Sequence, residues 1–544
     1  MKMTSKILSI LAASALLFTG CIEETIPEDS YATADQVGAS ATALEASLKG
    51  IPPQMTQGYY VYGGQTHETD MSYPALMIAM TEMLGDMYPG GDDSGYDWYR
   101  NYNTFDRAFG DNSYFAYLPW YTLYRFVKAA NDIISVVNLE DEGLSNTTKG
   151  VAGVAYAYRA FSYYTLMTLF EPMENIYTDC SKVLGLTVPI VDENTTGEDS
   201  KQNPRATHDE MVAFILNDLA IAEECLQNYT PESKYYPNLA VVYGIMAKTY
   251  LWDQDYANAA TYARKAIETS GCTPLTQSEL TDLTSGFNTV NHAWLWAGTY
   301  SPENMGNLCN WTGWMSGEAD WGYSSLTMPS IDRSLYERMA DNDYRKPQFL
   351  DPAKYDFYNY ETSRDRDFIE DAVPYLSLKF RCRAGNWESY EVGGACDVPF
   401  MRVEELYLIE AEAIGASQGV AAGVNALNSF IRSYRNPNYN YTASDLRSFQ
   451  LEVMWQARIE GWGEGFGFQF AKRLKPDVIQ NYEGTNAPEN IFKINCKGGK
   501  PNWNLVITQF ETQSNPVLQA TNNPDPTATV TGPTPIGEFA PAKY

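Results

Sequence analysis

The chain has 544 residues, with 68 Asp and Glu against 38 Lys and Arg, and a formal net charge of −30 at pH 7. This charge argues against nucleic acid as a partner, because phosphates would be repelled. Aromatic residues make up 14% of the chain, which is typical of a surface that contacts flat, amphipathic ligands.

The first twenty residues predict a secretory signal. A basic start is followed by the apolar run ILSILAASALLF, which is too short to span a membrane. The small residues before Cys21 are typical of a bacterial lipoprotein that is cut before Cys21 and acylated on it, although Phe18 stands where Leu is usual. We therefore expect a lipid-anchored protein; an ordinary secreted protein with a chance cysteine is the alternative.

Helical periodicity then comes in pairs. Thr207 and Glu210 form a capping box that predicts a helix to about Leu226. The other periodic segments of this half are 120–138, 150–170, 238–253 and 255–270. Small residues such as Ala259 and Ala263 let neighbouring helices approach closely, as in tetratricopeptide-like repeats.

Between 271 and 398 the helical period is lost, and only short pieces such as 293–298 and 374–380 read as extended. Helical pattern returns over 401–416, 419–435 and 444–462. We predict a mostly α fold in which 21–544 form one domain after the signal at 1–20. Its helix-pair scaffold spans about 40–270 and 400–475, and the loop-rich insertion 271–398 carries short strands and the ligand site.

Two groups of aromatic residues lie in probable loops, one over 96–105 and one over 294–323. Aromatic rings stack on the C–H face of a sugar, while polar neighbours bind its hydroxyl groups. The predicted ligand-contacting residues are Tyr96, Trp98, Asn101, Trp296, Trp311, Trp314, Trp321 and Tyr323. For Trp294 and Trp296, two residues apart in an apparent strand, a place in the core is an equally good interpretation.

Cysteine and histidine give no catalytic or metal-binding pattern. Seven cysteines follow Cys21 without a CxxC pair, and the three histidines are not spaced for a metal site or a triad. We therefore expect no catalytic residues, metal or cofactor. Cys382 and Cys396 are compatible either with a disulfide or with ordinary buried thiols.

Several motifs in order resemble the SusD/RagB family of outer-membrane lipoproteins. The first is MRVEELYLIEAEA, with Arg402, Glu405 and Glu412, and the second is ALNSFIRSYR. A third resembles the family's charged motif, at Arg458, Glu460, Glu464, Gly465 and Arg473, with Gly467 and Phe470 departing from it. The terminal segment ETQSNPVLQATNNP also matches, and the resemblance covers essentially the whole chain.

The resemblance implies non-catalytic capture of an oligosaccharide at the cell surface and its delivery to a SusC-like TonB-dependent transporter. It also implies attachment to the outer membrane through Cys21, with Glu23 and Glu24 resembling a surface-export signal. Both aromatic groups match regions from which the family builds its glycan site. Peptide capture is one alternative; a surface glycoside hydrolase, with Glu318 and Asp320 as candidate carboxylates, is another.

Overall fold

The structure, a computed structural model, describes residues 40–58, 71–90, 96–104, 110–303, 305, 308, 310–351, 364, 368, 371–488 and 490–529. The predicted signal, Cys21, Glu23 and Glu24 lie outside these residues. Among the helices of the described residues, none is long and apolar enough to cross a membrane.

The fold is mostly helical, as the sequence predicts. The helices of eight or more residues are α1 Ala41–Lys49, α2 Tyr73–Leu84, α3 Tyr114–Ile134, α4 Asn146–Phe170, α5 His208–Leu226, α6 Leu239–Trp252, α7 Tyr256–Ser270, α8 Val403–Ser417, α9 Val420–Tyr434, α10 Leu446–Glu460 and α11 Gly467–Leu474. Shorter α-helices cover Ile51–Gln54, Arg100–Thr104, Gln277–Leu280, Thr312–Met315, Ser324–Thr327, Arg333–Glu337, Tyr390–Gly393, Gln509–Ser514 and Pro526–Thr529.

Side-chain caps define where several long helices begin. Thr207 and Glu210 form the predicted capping box, and the helix they open, α5, ends at Leu226 as expected. Ser145 caps α4 and Asn238 caps α6 by accepting a backbone N–H two or three residues into the helix. Local sequence is therefore enough to set these helix starts.

Successive helices pack against one another to form the scaffold. The order of packing runs from α3 through α4, α5 and α6 to α7, and α7 then packs directly on α8. Ala259, Ala263 and Ala266 are fully buried on α7, as the small-residue spacing predicts. Thus α7 and α8, which lie on either side of the 271–398 region in sequence, are neighbours in space.

Strands are short and occur in antiparallel pairs. They are β1 Met87–Pro89, β2 Trp294–Thr299, β3 Pro329–Ile331, β4 Asp397–Arg402, β5 Val478–Ile479 and β6 Asn495–Cys496. The pairs are β1 with β3, β2 with β4 and β5 with β6. Because β4 leads directly into α8, the β2–β4 pair fixes both ends of the insertion to the scaffold. The predicted strand at 374–380 contributes only isolated bridges at Leu376 and Ser377.

A buried network of ion pairs holds the charged motif that the sequence singled out. Arg402 Nε donates to Glu464 at 2.6 Å, and Lys379 from the insertion donates to the same carboxylate at 2.6 Å. Arg435 Nε donates to Glu460 at 2.7 Å. Although burial disfavours its charged form, the surrounding arginines hold the pKa of Glu460 well below its usual value. The motif residues therefore stabilise the scaffold.

Candidate functional site

The structure brings the two predicted aromatic groups together. Tyr96 and Trp98, from the segment before Arg100–Thr104, lie over Tyr323 of the insertion. The ring centroid of Tyr323 is 6.2 Å from that of Tyr96 and 6.4 Å from that of Trp98. Tyr96 is 46% exposed and Trp98 39%, whereas Tyr323 is buried between them and the core. We call these three residues the aromatic patch.

A second layer of rings supports the patch. Tyr323 stacks on Trp314 with centroids 4.5 Å apart and an interplanar angle of 23°. Trp314 in turn meets Tyr99 edge to face at 4.9 Å. Since Tyr99 directly follows Trp98, both segments are tied to the same buried ring. The rings of the patch are therefore held in place before any ligand arrives.

Gly322 and Gly313 allow two backbone segments of the insertion to lie close together beneath the patch. Gly322, immediately before Tyr323, has a φ of +74°, in the region that favours glycine. A Cβ on Gly322 would lie 2.6 Å from the Cα of Gly313, next to Trp314. The two glycines let the backbone of the 322–323 segment lie directly on the Thr312–Met315 helix, which places the Tyr323 ring on Trp314.

Trp296 and Trp311 correct the sequence prediction, because both lie in the core. Trp296 is fully buried in β2, packs edge to face on Phe161 and Phe400, and donates its indole N–H to the carbonyl of Tyr235 at 3.2 Å. Trp311 is 1% exposed and packs on Phe380. Neither indole has a face open to a ligand, so the core interpretation holds for Trp296 and also for Trp294, which is 0% exposed.

Trp314 and Trp321 also differ from the prediction, because both are buried: Trp314 supports the patch, and Trp321 packs in a separate cluster of the insertion. One face of Trp314 is covered by Tyr323, and the residue is only 4% exposed. Trp321 is 9% exposed and packs with Ala319 and Cys382, with Trp387 against this cluster. Trp314 lies in a one-turn helix, too short to show a period, and Trp321 lies in irregular backbone, so a missing period is not evidence of exposure.

Asn101 is buried beneath the patch. Its Nδ2 donates to the carbonyl of Trp98 at 3.2 Å, and its Oδ1 has no hydrogen-bond partner among the described residues. At 6% exposure it positions the Trp98 backbone and is not part of an open polar rim. This changes the predicted role of Asn101 from ligand contact to loop positioning.

Buried titratable groups under the patch were missed by the sequence prediction. Asp97 lies between Tyr96 and Trp98 in sequence; its carboxylate accepts from the Tyr99 N–H at 3.2 Å, and burial raises its pKa to about 7. Burial likewise raises the pKa of Glu82 well above its usual value, and it lowers the pKa of Lys500 to about 8. Asn103 links them, donating to Glu82 at 2.9 Å and accepting from Lys500. These residues come from distant parts of the chain, so no local pattern indicated them.

The two carboxylates of the hydrolase alternative have different surroundings. Glu318 is fully buried and accepts from Arg381 Nη1 at 2.7 Å. The Asp320 side chain is 61% exposed, 3.8 Å from Arg364. Glu318 is thus held in an internal ion pair, away from any substrate. Cys382 and Cys396 are both buried free thiols, each beside a hydroxyl group, which settles the open alternative against a disulfide.

Residues 70–251 match a family model described as SusD-like, starch-binding and associating with the outer membrane. A curated relative, SusD-like protein P2 of Formosa agariphila, is 23% identical over 396 residues, which cover 69% of this chain and 72% of the relative.

Solved structures share the fold over most of the chain. A SusD-like carbohydrate-binding protein from Bacteroides vulgatus superposes with a TM-score of 0.70 at 22% identity, covering 89% of this chain and 98% of its own. Surface glycan-binding protein A from Bacteroides thetaiotaomicron, in complex with laminarihexaose, gives 0.62 at 15% identity, covering 89% and 99%. Residues 70–251 are thus similar to the SusD-like family model, and the chain shares the fold of these structures, which agrees with the resemblance found in its sequence.

Proposed function

We propose that the protein binds an oligosaccharide without cleaving it, at the aromatic patch, and delivers it to a SusC-like TonB-dependent transporter of the outer membrane. The observation that carries the proposal is the pair of exposed rings, Tyr96 and Trp98, held over Tyr323. These are the large exposed aromatics that the sequence placed in the predicted glycan site.

The rings suit a sugar for a physical reason. The C–H face of a pyranose stacks on an aromatic ring, and each such contact contributes on the order of 1 kcal/mol. Both exposed rings lie on Tyr323, which Trp314 fixes from below, so little ordering of the patch is needed on binding. Two stacked rings give modest affinity, which suits a protein that passes its ligand on.

Relatives support the choice of ligand class. One structural neighbour was solved with laminarihexaose and another is described as laminarin-binding. The family model is described as starch-binding. Glucans joined by β1,3 and α1,4 bonds are therefore the first ligands to examine.

The absence of catalysis in this proposal rests on the two candidate carboxylates, Glu318 and Asp320. A glycoside hydrolase needs two carboxyl groups that flank the scissile bond, roughly 5 to 10 Å apart. Glu318 is committed to Arg381, which leaves exposed Asp320 without that partner. Release of reducing ends from a bound glucan would contradict this part of the proposal.

Location and partner complete the proposal. Acylation of Cys21 would anchor the protein to the outer membrane, with Glu23 and Glu24 directing it to the cell surface. Co-purification with a TonB-dependent transporter, lost when the lipid anchor is removed by Cys21→Ala, would test both points.

The direct experiment is titration calorimetry with laminarihexaose, maltohexaose and cellohexaose. We expect micromolar-to-millimolar binding of at least one of them, weakened about tenfold or more in Trp98→Ala. Leu184→Ala removes a comparably exposed apolar side chain outside the patch, and this control should bind normally. Unchanged binding in Trp98→Ala would exclude the patch as the site, and binding of peptides alone would favour peptide capture.

A further inference from the structure

A cavity of about 510 Å³ lies on the scaffold, in a part of the chain that the aromatic patch does not use. One wall is the first half of α3, from Tyr117 to Lys128, and the opposite wall is the C-terminal segment from Thr508 to Asn515. Pro189, Val191, Ser200 and Asn203 close one side. Its volume falls within the usual range of small-molecule sites, roughly 300 to 1,000 Å³.

Aromatic rings form much of the lining. Tyr117 and Tyr121 stack one helical turn apart, with centroids at 5.5 Å and an angle of 27°. Phe510 meets Tyr117 from the opposite wall at 4.9 Å and is 49% exposed. An exposed phenylalanine next to stacked tyrosines provides a surface for the C–H face of a ring-shaped guest.

The same cavity is lined by buried polar atoms that lack partners. Thr508 and Asn515 are each 1% exposed. Thr508 Oγ1 and Asn515 Oδ1 have no hydrogen-bond partner among the described residues. Leaving such a group unsatisfied costs about 1 to 3 kcal/mol, so a guest with hydroxyl groups gains by pairing with them. A purely apolar guest would gain nothing from these two atoms.

The cavity lining carries charges of both signs, Arg125 and Lys128 against Glu511. Lys128 pairs with Asp132 at 2.6 Å. Glu511 accepts from the indole N–H of Trp120 at 3.3 Å, and Arg125 donates to the carbonyl of Gln54 at 3.0 Å. Because charges of both signs line the cavity, the lining favours a neutral guest over an ionic one.

We propose that this cavity is a second binding site, for a neutral saccharide ring stacked on the exposed face of Phe510, beside Tyr117, with its hydroxyl groups directed at Thr508 and Asn515. None of the residues that line it belongs to the aromatic patch, so the proposal stands or falls independently of the function proposed above. A second site on the scaffold would hold a long glycan at two points and raise its effective concentration at the first.

The test uses saturation-transfer NMR and titration with methyl β-glucoside, methyl β-galactoside and methyl α-mannoside at millimolar concentrations. Four proteins are compared: wild type, Phe510→Ala, Trp98→Ala and Leu184→Ala. Phe510 is half exposed, so its removal should leave the fold intact, which far-ultraviolet circular dichroism verifies. We expect at least one glycoside to bind wild type and Trp98→Ala alike, and to bind Phe510→Ala at least fivefold more weakly.

Three results would overturn the proposal. No binding of any glycoside to Trp98→Ala would mean that the patch is the site of all binding. Equal binding to Phe510→Ala and wild type would exclude the cavity. Binding of an aromatic peptide that depends on Phe510, with no response to the glycosides, would identify the cavity as a peptide-docking site. Weaker glycoside binding that persists in Trp98→Ala and depends on Phe510 would support the second site.

Discussion

Trp314 and Tyr323 stack at 4.5 Å, and this contact joins Tyr323, the ring on which Tyr96 and Trp98 lie, to the buried layer that also holds Tyr99. The residue that a ligand touches and the residue that keeps it in place are thus different. Exposure separates the two roles: Trp98 is 39% exposed and Trp314 only 4%.

Trp314→Ala should therefore impair both folding stability and binding. Removing a buried tryptophan leaves a cavity that typically costs about 3 to 5 kcal/mol, and Tyr323 would lose the ring it rests on. Trp98→Ala should weaken binding with a stability loss below about 1 kcal/mol, because that ring is partly in solvent. Urea unfolding measures both, and equal stability losses in the two variants would contradict the assignment of roles.

His208 predicts a loss of stability at alkaline pH. Its Nδ1 lies 2.9 Å from Glu171 and its Nε2 lies 3.1 Å from Asp253. The imidazolium therefore links the start of α5 to the ends of α4 and α6. The hydrogen bond to Glu171 and the neighbouring charges raise the pKa of His208 to about 9.

Because the folded pKa exceeds the unfolded value of about 6.5, the stabilisation is complete below that pH and is lost as pH rises toward 9. We expect about 2 kcal/mol less stability at pH 9.5 than at pH 6 from this group. His208→Gln should remove most of that slope, measured by urea unfolding across pH. His292→Gln, at an exposed ion pair with Glu279, is the matched control for loss of a histidine.

We expect Asp97 to make the stability of the fold depend on pH in the acidic range. Burial raises its pKa to about 7, so the folded protein binds a proton that the unfolded chain releases near pH 4. The contribution of this group to stability is present below about pH 4 and is lost as pH rises to 7.

Asp97→Asn keeps the shape without the charge. Relative to wild type, the variant should gain stability progressively between pH 4 and pH 7 and no further above it. Measuring the difference between the two proteins cancels the acid effects of other carboxylates. A difference that stays constant over this range would show that Asp97 is charged throughout.

The capping box at the start of α5 gives a purely local prediction. Thr207 accepts from the Glu210 N–H, and Glu210 accepts from the Thr207 N–H at 2.8 Å. Thr207→Ala should cost about 1 kcal/mol of unfolding free energy. Thr261→Ala, at an exposed position inside α7, is the control and should be neutral or slightly stabilising, since alanine favours helix.

Helix existence could be predicted because it depends on neighbours in sequence. The periods over 238–253 and 255–270 predicted α6 and α7 to within a residue at each boundary. In the same way, Thr207 and Glu210 set the start of α5. The extended segment predicted at 293–298 agrees with β2. The one predicted at 374–380 forms only isolated bridges, because the residues that it pairs with lie in distant segments that its own sequence does not specify.

By itself, the sequence determined the helical class, the helix starts and the two segments, 96–105 and 294–323, from which the aromatic patch comes. Only the tertiary structure decided that Trp296, Trp311, Trp314 and Trp321 are buried while Tyr96 and Trp98 face solvent. The cavity between α3 and the C-terminal segment was likewise invisible in sequence, since Tyr117 and Phe510 are far apart along the chain. The physical reason is that a side chain's exposure outside regular structure depends on which distant segment covers it, and no local period records that segment.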